Sequence, residues 1–356
     1  MHDTTRQDGW PVRTWLWSVA VLIAVMVLVG GATRLTDSGL SITQWNPISG
    51  VIPPLSLADW QAEFSLYQTT TEFQTVNASM TLAQFKFIFW WEWGHRQLGR
   101  LIGLAVLLPL IGFWATGRLS RWLKPRAVLL FLGICAQGAI GWWMVASGLT
   151  DRVDVAPLRL AIHLTAACVV FAWTVWLALS ISPATRRPSS KLASWALALV
   201  ALVFVQIFAG GLVAGHDAGM AWNTWPKMDG KLVPDGLWLM APGWLNLFEN
   251  ALTIQFVHRT TAYLVWIAVL LHWVQAARVD RAHAARAGLL FGAVCVQAVM
   301  GIATLVMQVP LSWALAHQFG AVVVLALTVW HWHAMQEPRA AVARPAPALD
   351  AAYGPT

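Results

Sequence analysis

The sequence predicts an all-α integral membrane protein whose eight transmembrane helices form two pseudo-symmetric four-helix bundles. Three observations lead there. Of the 356 residues, 58% are hydrophobic and 11% charged, about half the charged share of a typical soluble domain. Eight apolar stretches are long enough to cross roughly 30 Å of hydrocarbon as helices. The second half of the chain also repeats landmarks of the first in the same order.

The predicted spans are 14–33, 97–116, 126–146, 159–181, 192–214, 256–277, 284–306 and 312–334. The first lacks the small-residue cleavage site of a secretory signal and runs into a motif that recurs later, so it reads as a permanent span. With 24 Trp against 3 Tyr, the chain is rich in the residue that favours the membrane–water boundary. Cys135, Cys168 and Cys295 fall inside spans, which argues for small packed residues and against a disulfide framework.

Lys and Arg counts orient the chain. With the N-terminus inside, the inner segments hold 14 of the 23 bases and five acids, leaving nine bases and eleven acids outside. Both termini are then cytoplasmic, and the 34–96 and 215–255 loops face outward. The sequence pI is about 9.8, but the bases lie between apolar spans rather than in a stripe, so nucleic acid is not the partner; the lipid bilayer is. The expected organisation is a cytoplasmic N-terminal tail (1–13), an N-terminal bundle (14–182), a cytoplasmic linker (183–191), a C-terminal bundle (192–335) and a Pro/Ala-rich disordered cytoplasmic tail (336–356).

The repeat is specific. "GGATRLTDSGLSITQWNP" from Gly30 matches "GGLVAGHDAGMAWNTWP" from Gly210, pairing Gly31 with Gly211, Asp37 with Asp217, Gly39 with Gly219 and Trp45 with Trp225. His95-Arg96 then matches His258-Arg259, "CAQGAIG" from Cys135 matches "CVQAVMG" from Cys295, and His163 matches His317. Four spans per half is an even number, so the halves share one topology about an axis along the membrane normal.

Each of the four paired histidines lies near the outer start of an even-numbered span. Two helices of a bundle can then present imidazoles at one depth, an arrangement suited to holding a haem iron from both faces. A lone histidine near a span end is ordinarily a polar residue bonded to a backbone carbonyl; duplication of both positions weakens that reading for the set. His272, His331 and His333 lack the duplicated context and read as inner-interface side chains, and His216 lies in the second outer loop. Arg96 and Arg259 are candidates to pair with haem propionates, since guanidinium binds carboxylate in a two-pronged geometry.

The halves differ at one position. Glu92 stands three residues before His95, and Gln255 three residues before His258. Residues i and i+3 share a helix face, so the carboxylate points to reaction in the first half and quiet cofactor binding in the second. A single Glu-x-x-His copy is too few carboxylates for a di-iron bundle. Glu249 is expected to cap the following helix.

Taken together, "GGATRLTDSGLSITQWNPISGVIPP", "FKFIFWWEWGHRQLGRLIGL", "GGLVAGHDAGMAWNTWPKMDG", "NLFENALTIQFVHRTTAYL" and "ALAHQFGA" resemble the haem A synthase family over roughly residues 13–335. The resemblance implies a bacterial inner-membrane oxidoreductase that converts the C8 methyl of haem O, through a hydroxymethyl stage, to the formyl group of haem A for cytochrome oxidase. It implies haem b on His258 and His317, the substrate haem on His95 and His163 near the outer side, a catalytic role for Glu92, and molecular oxygen with electrons from an unidentified donor. Haem O synthase and the cytochrome oxidase assembly pathway become the expected partners, and a homo-oligomer the expected state. Two features depart from the family pattern: the outer-loop cysteine pair of some bacterial members is absent, and His216 occupies a usually uncharged position. The alternative is a di-haem b-type electron-transfer cytochrome, which needs the histidines but not Glu92.

Overall fold

The computed structural model describes residues 9–181, 190–279 and 281–336. The expected N-terminal tail, linker and C-terminal tail lie largely outside the described residues.

Eight helices among the described residues are long and apolar enough to cross a membrane: α1 (Trp10–Leu35), α4 (Leu82–Ala115), α5 (Leu123–Ala146), α6 (Pro157–Ser180), α7 (Ser190–Gly215), α9 (Ala251–Ala277), α10 (Arg281–Val306) and α11 (Leu311–Ala334). Short helices α2 (Leu57–Tyr67) and α3 (Thr71–Thr75) fold in the loop between α1 and α4, and α8 (Asn246–Glu249) precedes α9. The protein is all-α and multi-pass. Apolar residues such as Leu104, Leu108 and Ile111 of α4 and Leu289, Val296 and Val299 of α10 are exposed, as they are when lipid is the solvent.

Start signals in the sequence set the helix ends. Pro11 and Pro157 sit in the first turns of α1 and α6, where a missing N–H leaves no bond unmade. One boundary differs markedly: α4 begins at Leu82, well before the predicted residue 97. Thr81 and Gln84 form a reciprocal capping box there. The added turns are amphipathic and bury Phe85, Ile88 and Phe89 against Trp60 and Tyr67 of α2, so tertiary packing rather than hydrocarbon holds them. Glu249 does not cap α9. The cap is Asn250, whose side chain accepts from the Leu252 and Thr253 amides.

Packing closes two rings. In the first half α1 packs on α4, α4 on α5, α5 on α6 and α6 on α1; in the second α7 packs on α9, α9 on α10, α10 on α11 and α11 on α7. The halves meet through α6–α7, α1–α11 and α6–α11. Repeated glycines serve that interface. A Cβ on Gly211 of α7 would lie 2.9 Å from Ala161 Cα of α6, and one on Gly31 of α1 would strike Gln318 of α11. Gln318 in turn donates to Val27 O at 2.6 Å. Arg34, at the end of α1, donates to Ala214 O (3.1 Å) and Asp217 (2.8 Å) of the other half. Asp37 and Asp217, paired by the repeat, both hold positive φ, 50° and 47°, so the two outer loops open with one turn.

Two predictions follow from this architecture. Gly211→Val places side-chain atoms against the α6 backbone, an overpacking that costs about 1–3 kcal/mol; a thermal melt in detergent should show a lowered midpoint. An unchanged midpoint would mean that α6 and α7 are not closely apposed.

Glu72 in α3 is buried, and that burial pushes its carboxyl up to about 8 from an ordinary 4.5. The folded state then holds a proton that the unfolded state releases, so its contribution to stability falls as pH rises from about 4.5 to about 8 and levels off above. Denaturation across that window should show the slope in wild type and lose it in Glu72→Gln.

Candidate haem-ligand site

The structure brings the four repeated histidines into two equivalent settings. His95 is on α4 and His163 on α6, the diagonal pair of the first ring; His258 on α9 and His317 on α11 form the diagonal pair of the second. Each imidazole sits against a glycine on the adjoining helix. A Cβ on Gly30 of α1 would come 3.2 Å from the His95 ring, on Gly141 of α5 3.1 Å from His163, on Gly210 of α7 3.0 Å from His258, and on Gly301 of α10 2.7 Å from His317. Only glycine leaves that room. All four rings keep part of their surface accessible although protein surrounds them on every side. The four histidines are therefore not packed solid.

Glu92 is also where the sequence places it, one turn from His95, but its oxygens are bonded to the outer loop. Oε2 accepts from Ser41 Oγ (2.7 Å) and the Ile42 amide (2.8 Å), and Oε1 from Arg96 Nη2 (2.6 Å) and Nε (3.1 Å). Arg96 carries the clamp onward to Gln44 O (3.0 Å) and Ile42 O (2.9 Å). The second half repeats the device: Arg259 donates to Thr224 O and Trp222 O, each at 2.7 Å, and to Gln255 Oε1 at 3.1 Å, while Gln255 donates to Ala218 O at 2.8 Å. Ile42 and Gln44 are the repeat partners of Trp222 and Thr224, so the arginine contacts are duplicated residue for residue, while Glu92 and Gln255 hold different loop atoms. The guanidiniums of Arg96 and Arg259 are thus engaged with loop carbonyls. Arg259 Nε remains buried without a partner, as does His163 Nδ1.

One expectation is corrected. His272 and His331 are not interfacial: both are fully buried, with their Nε2 atoms 2.7 Å apart, because α9 and α11 face each other across the ring at that depth. His216 bonds Phe248 O at 2.8 Å and acts as a loop tie. The residues that sequence reasoning passed over are the four glycines, together with Gln206 and Gln297, which approach His258 and His317. All four glycines and Gln297 stand inside the repeated strings, so the signal lies in the repeat itself.

The geometry defines a duplicated eight-helix membrane protein in which each half carries two imidazoles on diagonal helices. The chain belongs to the COX15-CtaA family of cytochrome oxidase assembly proteins, whose profile it matches over residues 13–329. Similar curated proteins include the "Heme A synthase" of Chelativorans sp. (strain BNC1), 54% identical over 94% of this chain and 93% of that protein. That of Azorhizobium caulinodans is 54% identical over 90% and 93%, and that of Brucella abortus (strain S19) 50% identical over 96% of each.

Removing the clamp should free the outer loop. Glu92→Ala is expected to raise the rate of proteolytic cutting between residues 38 and 46 several-fold, whereas Glu92→Gln, which copies the second half, should leave it near wild type. Equal protection in all three proteins would show that the loop is held by other contacts.

Proposed function

We propose that this chain is a haem A synthase of the bacterial inner membrane, oxidising the C8 methyl of haem O to a formyl group. The observation that carries this is the pair of diagonal, glycine-seated imidazole sites, duplicated in their histidines and glycines but with a carboxylate clamp in one half only. Relatives at about half identity that are haem A synthases support it.

The residues fit haem. Imidazole is a preferred axial ligand, and among the described residues no cluster of three or more His, Cys, Asp or Glu forms a metal cage of its own, so a metal here would arrive already held in a macrocycle. The glycine seats keep an opening at each ring, and the orphaned Arg259 Nε offers a donor for a propionate. When bound, haem supplies the redox-active iron for oxygen chemistry.

On this reading His258 and His317 hold a resident haem b, with Arg259 as its propionate partner. His95 and His163 hold the substrate haem, with Arg96 at its mouth. The methyl is hydroxylated twice, using oxygen with electrons from a donor still to be identified, and the resulting hydrate loses water to give the aldehyde. Glu92, with both oxygens bonded to Ser41, Ile42 and Arg96, acts as a positioning carboxylate: it neutralises Arg96 and fixes the loop over the first-half site. The two helix rings are read as two bundles, 14–182 and 192–335, with cytoplasmic termini and haem sites near the outer face. Haem O synthase is the natural supplier, cytochrome oxidase assembly the destination, and a homo-oligomer the state we assign.

The test is to purify the protein from a host that makes haem O but no haem A and identify the extracted haems by chromatography and mass. Haem A or its hydroxymethyl precursor beside haem B is expected; haem B alone, with haem O plentiful, would make the protein a di-haem electron-transfer cytochrome instead. In the same host Glu92→Gln should retain haem B and lose most haem A. A normal yield would reduce Glu92 to a loop clamp.

A further inference from the structure

Resting on that reading, we infer that Gln206 and Gln297 are positioning residues that make the second-half site retain its haem, and that the absence of the same hydrogen bonds in the first half makes that site exchangeable. Gln206 of α7 sets Nε2 3.0 Å from His258 Nδ1, 3.4 Å from His258 Nε2 and 3.1 Å from His258 O, and Thr261 donates to its Oε1. Gln297 of α10 sets Nε2 3.1 Å from His317 Nδ1 and 2.8 Å from His317 O. Each amide grips the ring and the backbone of one histidine. The same grip is built twice, from two different helices, onto the two histidines of one half.

The first half lacks it. The repeat shift that pairs Gly30 with Gly210 puts Met26 at the place of Gln206, and the shift that pairs Cys135 with Cys295 puts Gln137 at the place of Gln297. A thioether has no hydrogen to donate. Gln137 keeps the amide without the bond: its Oε1 and His163 Nδ1 are both buried and unpartnered. Among the described residues no side chain bonds either ring nitrogen of His95 or His163.

The physical consequence is direct. A hydrogen bond to the ring nitrogen that does not face the metal fixes the orientation and tautomer of a ligating imidazole, and its loss typically costs about 10–100-fold in metal affinity. The other bonds of each amide, from Nε2 to the histidine carbonyl and, for Gln206, from Thr261 to Oε1, fix its orientation, so the ring nitrogen that meets Nε2 is held as the acceptor. The outer clamps differ in the same sense. Glu92 neutralises Arg96, whereas Gln255 leaves the charge of Arg259 uncompensated, so a carboxylate-bearing macrocycle meets a cation in the second half and a neutral pair in the first. A resident cofactor has to stay; a substrate has to leave once converted.

The experiment follows haem transfer from the purified full-length protein in detergent to excess apomyoglobin, with His258→Ala and His95→Ala assigning each phase to a half. Redox titration of the b-type absorbance is run in parallel. Gln206→Met should release the second-half haem about tenfold faster and shift the midpoint potential of that half alone. Met26→Gln, which installs the missing amide, should slow first-half release by a similar factor, a gain that a packing role would not produce; it also decides the matter if Gln206→Met folds poorly. If Gln206→Met and Met26→Gln both release haem at the wild-type rates while His258→Ala removes the second-half haem, the glutamines are packing residues and the inference fails. If His258→Ala leaves the haem content unchanged, the haem reading itself fails, and that outcome is distinct.

Discussion

The seating of an imidazole ring directly against a glycine of the adjoining helix is the contact on which the rest of this structure depends. A Cβ at any of Gly30, Gly141, Gly210 or Gly301 would come within 2.7–3.2 Å of its histidine, so ring and helix approach only where no side chain intervenes. Because glycine and histidine must stand on neighbouring helices, they alternate around each four-membered ring. The histidines then fall on one diagonal, α4 with α6 or α9 with α11, and the glycines on the other. Diagonal placement is what lets two imidazoles address the inside of one four-helix ring from opposite sides.

That space has to be closed at the outer surface, where helix ends leave carbonyls and amides without partners. The two halves solve this identically with an arginine one residue after the outer histidine, which reaches back over the loop that follows α1 or α7. The position one turn before that arginine is where the halves diverge. Glu92 and Gln255 both tie the loop to the helix and both accept from the arginine, but only Glu92 brings a charge. The substitution therefore changes electrostatics while conserving the architecture.

Much of this was legible in the sequence. Helix number and most span limits follow from hydropathy, because lipid leaves a chain almost no freedom once roughly twenty apolar residues are in line. The pairing of His95, His163, His258 and His317 followed from self-comparison, since duplicated positions must serve duplicated geometry. What hydropathy missed was the first part of α4, stabilised by aromatic packing above the membrane on α2 rather than by lipid. It also missed the contact between His272 and His331: facing helices put two buried rings together, and only their relative rotation, which no single-chain pattern records, reveals it. Glu92 was placed on the right helix face, but i, i+3 spacing says nothing about a loop folding over that face to take its oxygens.

Duplication explains how one chain comes to have two nearly equivalent sites, and it also poses a difficulty. Two identical haem sites would retain or release with equal ease, whereas a synthase that keeps one haem and passes on another needs them to differ. The differences sit at Met26 against Gln206, at Gln137 against the engaged Gln297, and at Glu92 against Gln255; none of these residues is a ligand. The four histidines and their glycine seats are common to both halves, because altering them would abolish a site rather than tune it. On the proposed function, the divergence at these positions touches the histidines and the clamps, where a single hydrogen bond or a single charge would change how long a haem stays without changing whether it fits.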